Sequence, residues 1–230
     1  MKDRRRVIAI DGPVGSGKST VAKRVAEKLG YRYVDSGAMY RAVARASLDR
    51  KISPADEEGV SRLAASLRVD LRPAADGLNV FVNGENVSAR LRSREVSQAT
   101  SELSRYAGVR APMVAEQRRA AEANDLVMEG RDIGTVVFPD ADLKIFLDAS
   151  PEVRARRRFA EHQEKGEASD LGQIEKEIRE RDKRDAGRKL SPLKRARDAV
   201  HIDTTALSAE ETAELIVFLM KHKEATLSRG

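Results

Sequence analysis

The run Gly12-Pro-Val-Gly-Ser-Gly-Lys18-Ser19 lies directly between a short apolar stretch, Val7-Ile-Ala-Ile10, and a helical pattern, and it constrains this chain more than any other feature. It fits the spacing G-x-x-x-x-G-K-[ST]. In such a loop backbone N–H groups turn inward around an anion, the following helix adds its dipole, the lysine reaches terminal phosphates and the hydroxyl ligates magnesium. Gly12, Pro13, Val14, Gly15, Ser16, Gly17, Lys18, Ser19 and Thr20 are therefore the expected ATP-binding residues, with Ser19 on the metal through its hydroxyl. A dinucleotide fingerprint fits poorly, because Thr20 stands where its third glycine belongs. A guanine-nucleotide switch fits no better: no asparagine is followed by lysine, and Asp56 to Gly59, an Asp-x-x-Gly, lies in a polar stretch after Pro54.

Around this loop, short apolar runs alternate with helical patterns. Tyr31–Asp35, Asp125–Glu129, Leu143–Asp148 and Ala199–Asp203 read as further strands, and strands separated by helices imply a parallel sheet. Helix starts are marked by Ser150-Pro151-Glu152 and by a capping box, Ser208-Ala-Glu-Glu211. The last helix carries Leu215, Phe218, Leu219 and His222 on one face. One stretch breaks the rhythm: Leu67–Arg72 and Leu78–Val82 alternate apolar and polar, are joined through Asp76-Gly77 and are followed by Asn83-Gly84, a hairpin turn signal. This is an antiparallel insert of about residues 65–105 within an α/β chain.

At 230 residues, with 40% hydrophobic and 35% charged, the chain is globular and needs no second independent fold. Cysteine is absent, which excludes disulfides and thiolate chemistry, and His162, His201 and His222 lack metal-ligand spacing. The basic Met1–Arg6 leads into an apolar run too short for a signal core or a membrane span, so the expected location is cytoplasmic, without a membrane partner. The net charge of +6 admits a polyphosphate site as readily as nucleic acid, while 4% aromatic content leaves few stacking platforms.

Arginines recur where strand ends converge: Arg41, Arg110, Arg131, then Arg154, Arg156, Arg157 and Arg158, and finally Arg181, Arg184 and Arg188. On a continuous helix Arg181, Asp185 and Arg188 share a face, and Leu171, Ile174 and Ile178 form a separate apolar stripe. Such a set neutralises two phosphate-bearing substrates under a closing lid; any single arginine among them can equally belong to a solvated, salt-bridged face. Asp132 likewise reads either as a ligand carboxylate or as a helix cap paired with Arg131.

Gly12–Thr20, Asp35-Ser-Gly-Ala-Met-Tyr-Arg41, Glu129-Gly-Arg-Asp-Ile-Gly-Thr-Val-Val-Phe-Pro139 and Arg181-Asp-x-x-Asp185-x-x-Arg188 together resemble the bacterial cytidylate kinase family, over nearly the whole chain. The resemblance implies a P-loop kinase core with a five-stranded parallel sheet (residues 1–64 and 106–230), a nucleotide-binding β insert (65–105) and a helical lid (154–170). It implies transfer of the ATP γ-phosphoryl group to CMP or dCMP with Mg²⁺, by a monomer that acts on these small molecules and not on nucleic acid. It places Ser36, Arg110 and Asp132 at the cytosine with Ser101 close by, and Arg41, Arg131 and Arg188 on the monophosphate. Arg181 and Asp185 fall around the sugar and Arg157 on the ATP, so that Lys18, Arg131, Arg157 and Arg188 carry the chemistry. Asp35 and Glu129 are expected to orient metal-bound water, Glu129 being equally readable as a salt-bridge partner. The residue types make chemical sense: a carboxylate accepts from the cytosine N4 amino group and an arginine donates to N3 and O2, whereas uracil reverses that polarity. Two other readings remain open, a kinase of another small phosphate acceptor such as UMP and an ATP-binding nucleic-acid module.

Overall fold

The computed structural model describes residues 5–74, 77–164 and 166–227, so Asp76 of the expected Asp76-Gly77 turn and Lys165 of the expected lid lie outside the described residues. Strand β1 (Val7–Asp11) is buried along its whole length, which is why Val7–Ile10 are continuously apolar. After the glycine-rich loop comes α1 (Lys18–Leu29), which packs Val21, Ala22, Val25 and Ala26 inward and stops at Gly30. The chain continues through β2 (Arg32–Asp35), α2 (Ser36–Asp49) and α3 (Glu57–Ser66), then β3 (Val69–Ala74), β4 (Gly77–Val82), β5 (Glu85–Asn86) and α4 (Arg94–Leu103). It returns through α5 (Ala107–Arg119), β6 (Leu126–Gly130), a π-type turn over Ile133–Val137, β7 (Leu143–Asp148), α6 (Pro151–Glu164), α7 (Leu171–Ala186), β8 (Val200–Asp203) and α8 (Ala209–Leu227).

Strands β2, β6, β1, β7 and β8 form, in that order, a five-stranded sheet, and every pairing within it is parallel. The register sets Asp35 beside Glu129 and Asp11 beside Gly130. The strand ends that carry the candidate site thus share the carboxyl edge, where open α/β sheets bind ligands. Asp56 of the Asp-x-x-Gly is the cap of α3, accepting from the Gly59 amide at 3.0 Å.

β3, β4 and β5 form a separate three-stranded antiparallel sheet. Asn83 and Gly84 both have positive φ (50° and 89°), the pairing that a tight hairpin turn requires, and they add a third short strand to the hairpin expected from sequence. This unit has no core of its own: Val69, Leu71, Val80, Val96 and Leu103 belong to one apolar cluster with Val34, Met39, Met128 and Ile133. On the other sheet face, α1 and α8 cover Ile8, Ile10, Val127 and Ile145.

The rotation of α8 differs from the reading of its sequence. It buries Ala213, Ile216 and Met220, while Leu215 and Phe218 of the expected face are 40% and 64% exposed. Ala213, Ile216 and Met220 pack with Val21, Ala22, Val25 and Ala26 of α1, and Arg24 and Lys28 of α1 pair with Glu210 at the start of α8. The capping box is formed as expected, with Ser208 N donating to Glu211 Oε2 (2.9 Å) and Glu211 N to Ser208 Oγ (3.1 Å). Ser208→Ala should therefore cost about 1 kcal/mol of stability, read by urea denaturation.

Helix α7 also departs from expectation. It ends at Ala186, with Gly187 as its cap, so Arg188 does not continue the helical face of Arg181 and Asp185. Ile174 and Ile178 pack with Val14 and Ala155, whereas Leu171 is exposed.

Candidate active site

The phosphate-binding loop is closed by contacts only glycine permits. A side chain at Gly12 would place its Cβ 2.0 Å from the Leu147 carbonyl oxygen, and Gly17 caps α1 with φ 86° and no side-chain hydrogen bond. The first amides of α1 are left without an internal side-chain partner, as an anion site requires. Pro13 O accepts from Lys18 Nζ (2.6 Å) and from Ser16 Oγ (3.0 Å). Val14 plugs the apolar cluster beneath α6 and α7, and Gly15 lies against Arg154. Ser19 and Thr20 are exposed at the open side of the loop. Lys18 is buried; burial and then the neighbouring Arg131 guanidinium lower its pKa to about 7.

Beside the loop stand two strand-end carboxylates. Glu129 is buried, accepts from Tyr33 Oη at 2.7 Å and meets the Ser19 hydroxyl. Burial first, and then Asp35, push its pKa upward. Asp35 caps α2 through the Ala38 amide (3.0 Å) and pairs with Arg41 Nη2 (2.5 Å). Among the described residues no group of three or more His, Cys, Asp or Glu side chains could hold a metal alone. The oxygen donors Ser19 and Glu129 fit a hard divalent ion that takes its other ligands from phosphate and water.

The arginines divide into structural and unsatisfied ones. Arg154 is buried and each of its nitrogens has a partner: Nε on Ala149 O (2.8 Å), Nη1 on Val14 O (3.2 Å) and Nη2 on Asp182 (2.7 Å). It clamps the phosphate loop to α6 and α7. Arg157 donates to Thr204 Oγ1 (3.0 Å) and Thr204 O (2.6 Å), close to Gly17. Arg131 Nε and Arg188 Nη2 converge on the two oxygens of Asp185, at 3.0 and 2.5 Å. Burial opposes the Asp185 charge, yet Arg131, Arg188 and Arg181 together hold its pKa below the usual carboxylate range. Arg181 has a buried Nε with no hydrogen-bond partner; burial, reinforced by Arg131, lowers its pKa to about 10. Arg158 and Arg41 also repel it. Lys18, Arg181 and Arg188 are each pushed down by burial and by neighbouring cations, so this part of the site is short of negative charge, which phosphates supply.

A second polar group follows β6. Asp132 and Arg110 form a buried ion pair, and the Arg110 guanidinium stands 5.6 Å from the Tyr40 ring centroid. Burial raises the Asp132 pKa, offset only partly by Arg110 and by a hydrogen bond from Ser191. Ser36 Oγ, at the start of α2, donates to Glu129 O at 2.6 Å. Ser101 accepts from Arg184 Nη1 (3.2 Å). Ser104 takes Arg188 Nη2 on its hydroxyl (3.1 Å) and Arg110 Nη1 on its carbonyl (3.3 Å). Sequence reasoning missed Asp11, Tyr33, Tyr40, Ser104 and Thr204 as residues that hold the site. Only Asp11 carried a signal, as an acid interrupting an apolar strand just before Gly12.

The cytidylate kinase family profile matches residues 8–222. Among curated relatives, the cytidylate kinase of Geobacillus sp. (strain WCH70) is 47% identical over 216 residues, covering 94% of this chain and 96% of its own. That of Solibacter usitatus (strain Ellin6076) is 46% identical over 224 residues, 96% and 95% of the two chains. A gluconokinase structure from Sinorhizobium meliloti 1021 superposes with TM-score 0.51 at 15% identity, covering 98% of this chain and 97% of that one, a likeness of fold alone. With a phosphate loop on β1, an arginine cluster short of negative charge and this extent of matched sequence, the chain belongs to the cytidylate kinase family.

Proposed function

We propose a division of labour among the residues of this site for the reaction of its family. The chain transfers the γ-phosphoryl group of ATP to CMP or dCMP, yielding ADP and CDP or dCDP. In our reading Gly12–Thr20 holds the ATP phosphates, Lys18 reaches the transferred group, and Arg157 flanks the nucleotide from Thr204. Arg41, Arg131 and Arg188 take the acceptor phosphate, and Arg181 with Asp185 faces the sugar. Ser36, Ser101, Arg110 and Asp132 read the base. No general base is needed, because the attacking phosphate oxygen is already ionised and a loose transition state asks mainly for alignment and charge neutralisation.

A divalent metal accompanies ATP in kinases of this kind, and Mg²⁺ is the proposed ion, held by the Ser19 hydroxyl and through water by Glu129 and Asp35. When bound, it neutralises charge on the transferring phosphate. Residues 1–64 and 106–230 form the proposed core, 65–105 the acceptor-binding insert, and 154–170 a lid that excludes water. A cytoplasmic monomer acting on small molecules is the proposed setting; among the described residues no helix is long and apolar enough to cross a membrane.

The observation that carries this map is Arg181, buried with an unpartnered Nε and crowded by Arg131, beside a buried Asp132–Arg110 pair. Its test is ADP release from Mg²⁺-ATP with CMP, dCMP, UMP, AMP or no acceptor. Fast turnover with CMP and dCMP and almost none without acceptor is expected. Acceptor-independent hydrolysis would overturn the water-excluding lid, and equal use of UMP would overturn the assignment of the base-reading residues.

A further inference from the structure

Asp11 is the last residue of β1, one position before Gly12, and it takes no part in the assignments above. It is 4% exposed, and each of its carboxylate oxygens accepts one backbone amide: Oδ1 from Ile133 N and Oδ2 from Gly134 N, both at 2.8 Å. These amides belong to the turn that directly follows Arg131 and Asp132. We propose that Asp11 is a positioning residue for base recognition, its carboxylate fixing the backbone that aims Asp132 at the acceptor.

The geometry explains why an acid stands there. Asparagine would present an N–H₂ group to one of the two amide donors, leaving a buried repulsion and an unpaired N–H. A neutral residue would be cheaper to bury; consistent with that cost, burial raises the Asp11 pKa to about 6. No residue separates Asp132 from Ile133, so any shift of the Ile133 amide passes straight to the Asp132 backbone. Misplacement by about 1 Å can cost on the order of 100-fold in rate. Because Asp11 also opens the phosphate loop, the same strand end sets the donor and acceptor sides relative to each other.

The proposal rests on Asp132 reading the base, and its test separates the two ideas. In Asp11→Asn, the preference for CMP over UMP in kcat/KM should fall at least about tenfold while the KM for ATP moves less than about threefold. Added to Asp132→Ala, the same change should lower the preference no further. If Asp132→Ala abolishes the preference and Asp11→Asn keeps it, or harms ATP and CMP use equally, the positioning role is wrong. If Asp132→Ala itself keeps the preference, the base-reading assignment fails and this role fails with it. A second measurement needs no variant: in the wild-type protein, the Ile133 and Gly134 amides should exchange hydrogen as slowly as those of β1, and exchange within seconds would overturn the clamp even if Asp11→Asn does not fold.

Discussion

Lys18→Ala should lower kcat by about 10²- to 10³-fold or more, the scale seen when one preorganised donor is removed from a charge-developing centre. The fold should survive. Lys18 is buried on the same face as Val21, Ala22, Val25 and Ala26, but those four, not Lys18, make the apolar cluster with the sheet, and Pro13 O keeps its hydrogen bond from Ser16 Oγ. Single-turnover kinetics beside a thermal melt would show both, and activity within a few-fold of wild type would remove Lys18 from the chemistry. A pH arm sharpens the test. Burial and Arg131 leave Lys18 with a pKa of about 7 in the free protein, and the ATP phosphates raise it. Below about pH 7 the free lysine already carries its proton, whereas above it ATP binding must bring one in. The wild type should therefore take up a proton with ATP at about pH 8.5 that Lys18→Ala does not, seen by calorimetry in buffers of different ionisation heat, and its ATP affinity should weaken as pH rises.

The elements legible in the sequence are those whose residues serve one purpose. β1 is apolar because both its faces are covered, and α1 shows a stripe because only one face packs; both can be read without a structure. Helix α5 cannot. Its inward face carries Arg110 and Gln117 along with Val109 and Met113, and it contains Pro112, so the apolar period is broken by buried polar residues, of which Arg110 pairs with Asp132 in the site. The phosphate loop was equally legible, because its function needs consecutive residues. The supports of the site were not: Tyr33 on Glu129 and Thr204 under Arg157 are pairings between distant segments set by the β2-β6-β1-β7-β8 order, and Ser104 joins Arg110 to the distant Arg188. Arg188 shows the limit of spacing arguments. It does meet Asp185, at 2.5 Å, but from beyond the end of α7, by a route no helical wheel describes.

Asp132→Ala should reduce kcat/KM for CMP by roughly 10²-fold or more, because a buried site built to pair with a substrate donor loses far more than a methylene contact when the partner is removed. ATP binding should change little, since Asp132 pairs with Arg110, whereas Lys18 and Ser16 of the phosphate loop donate to Pro13 O. The variant also leaves Arg110 without its ion-pair partner, holding only Ser104 O at 3.3 Å and the Tyr40 ring. Loss of stability is therefore expected as well, on the order of 3 kcal/mol for a buried pair cut on one side, and a melt must accompany the kinetics. Asp132→Asn separates recognition from stability. The amide keeps one acceptor for the cytosine N4 group and gains a donor that suits the uracil O4 acceptor. CMP use should fall in the order wild type, Asn, Ala, whereas UMP use should be best in Asn. A base-reading carboxylate predicts this crossing of the two orders. A carboxylate that merely caps a turn and neutralises Arg110 predicts that CMP and UMP decline in parallel, and that outcome would return Asp132 to a structural role.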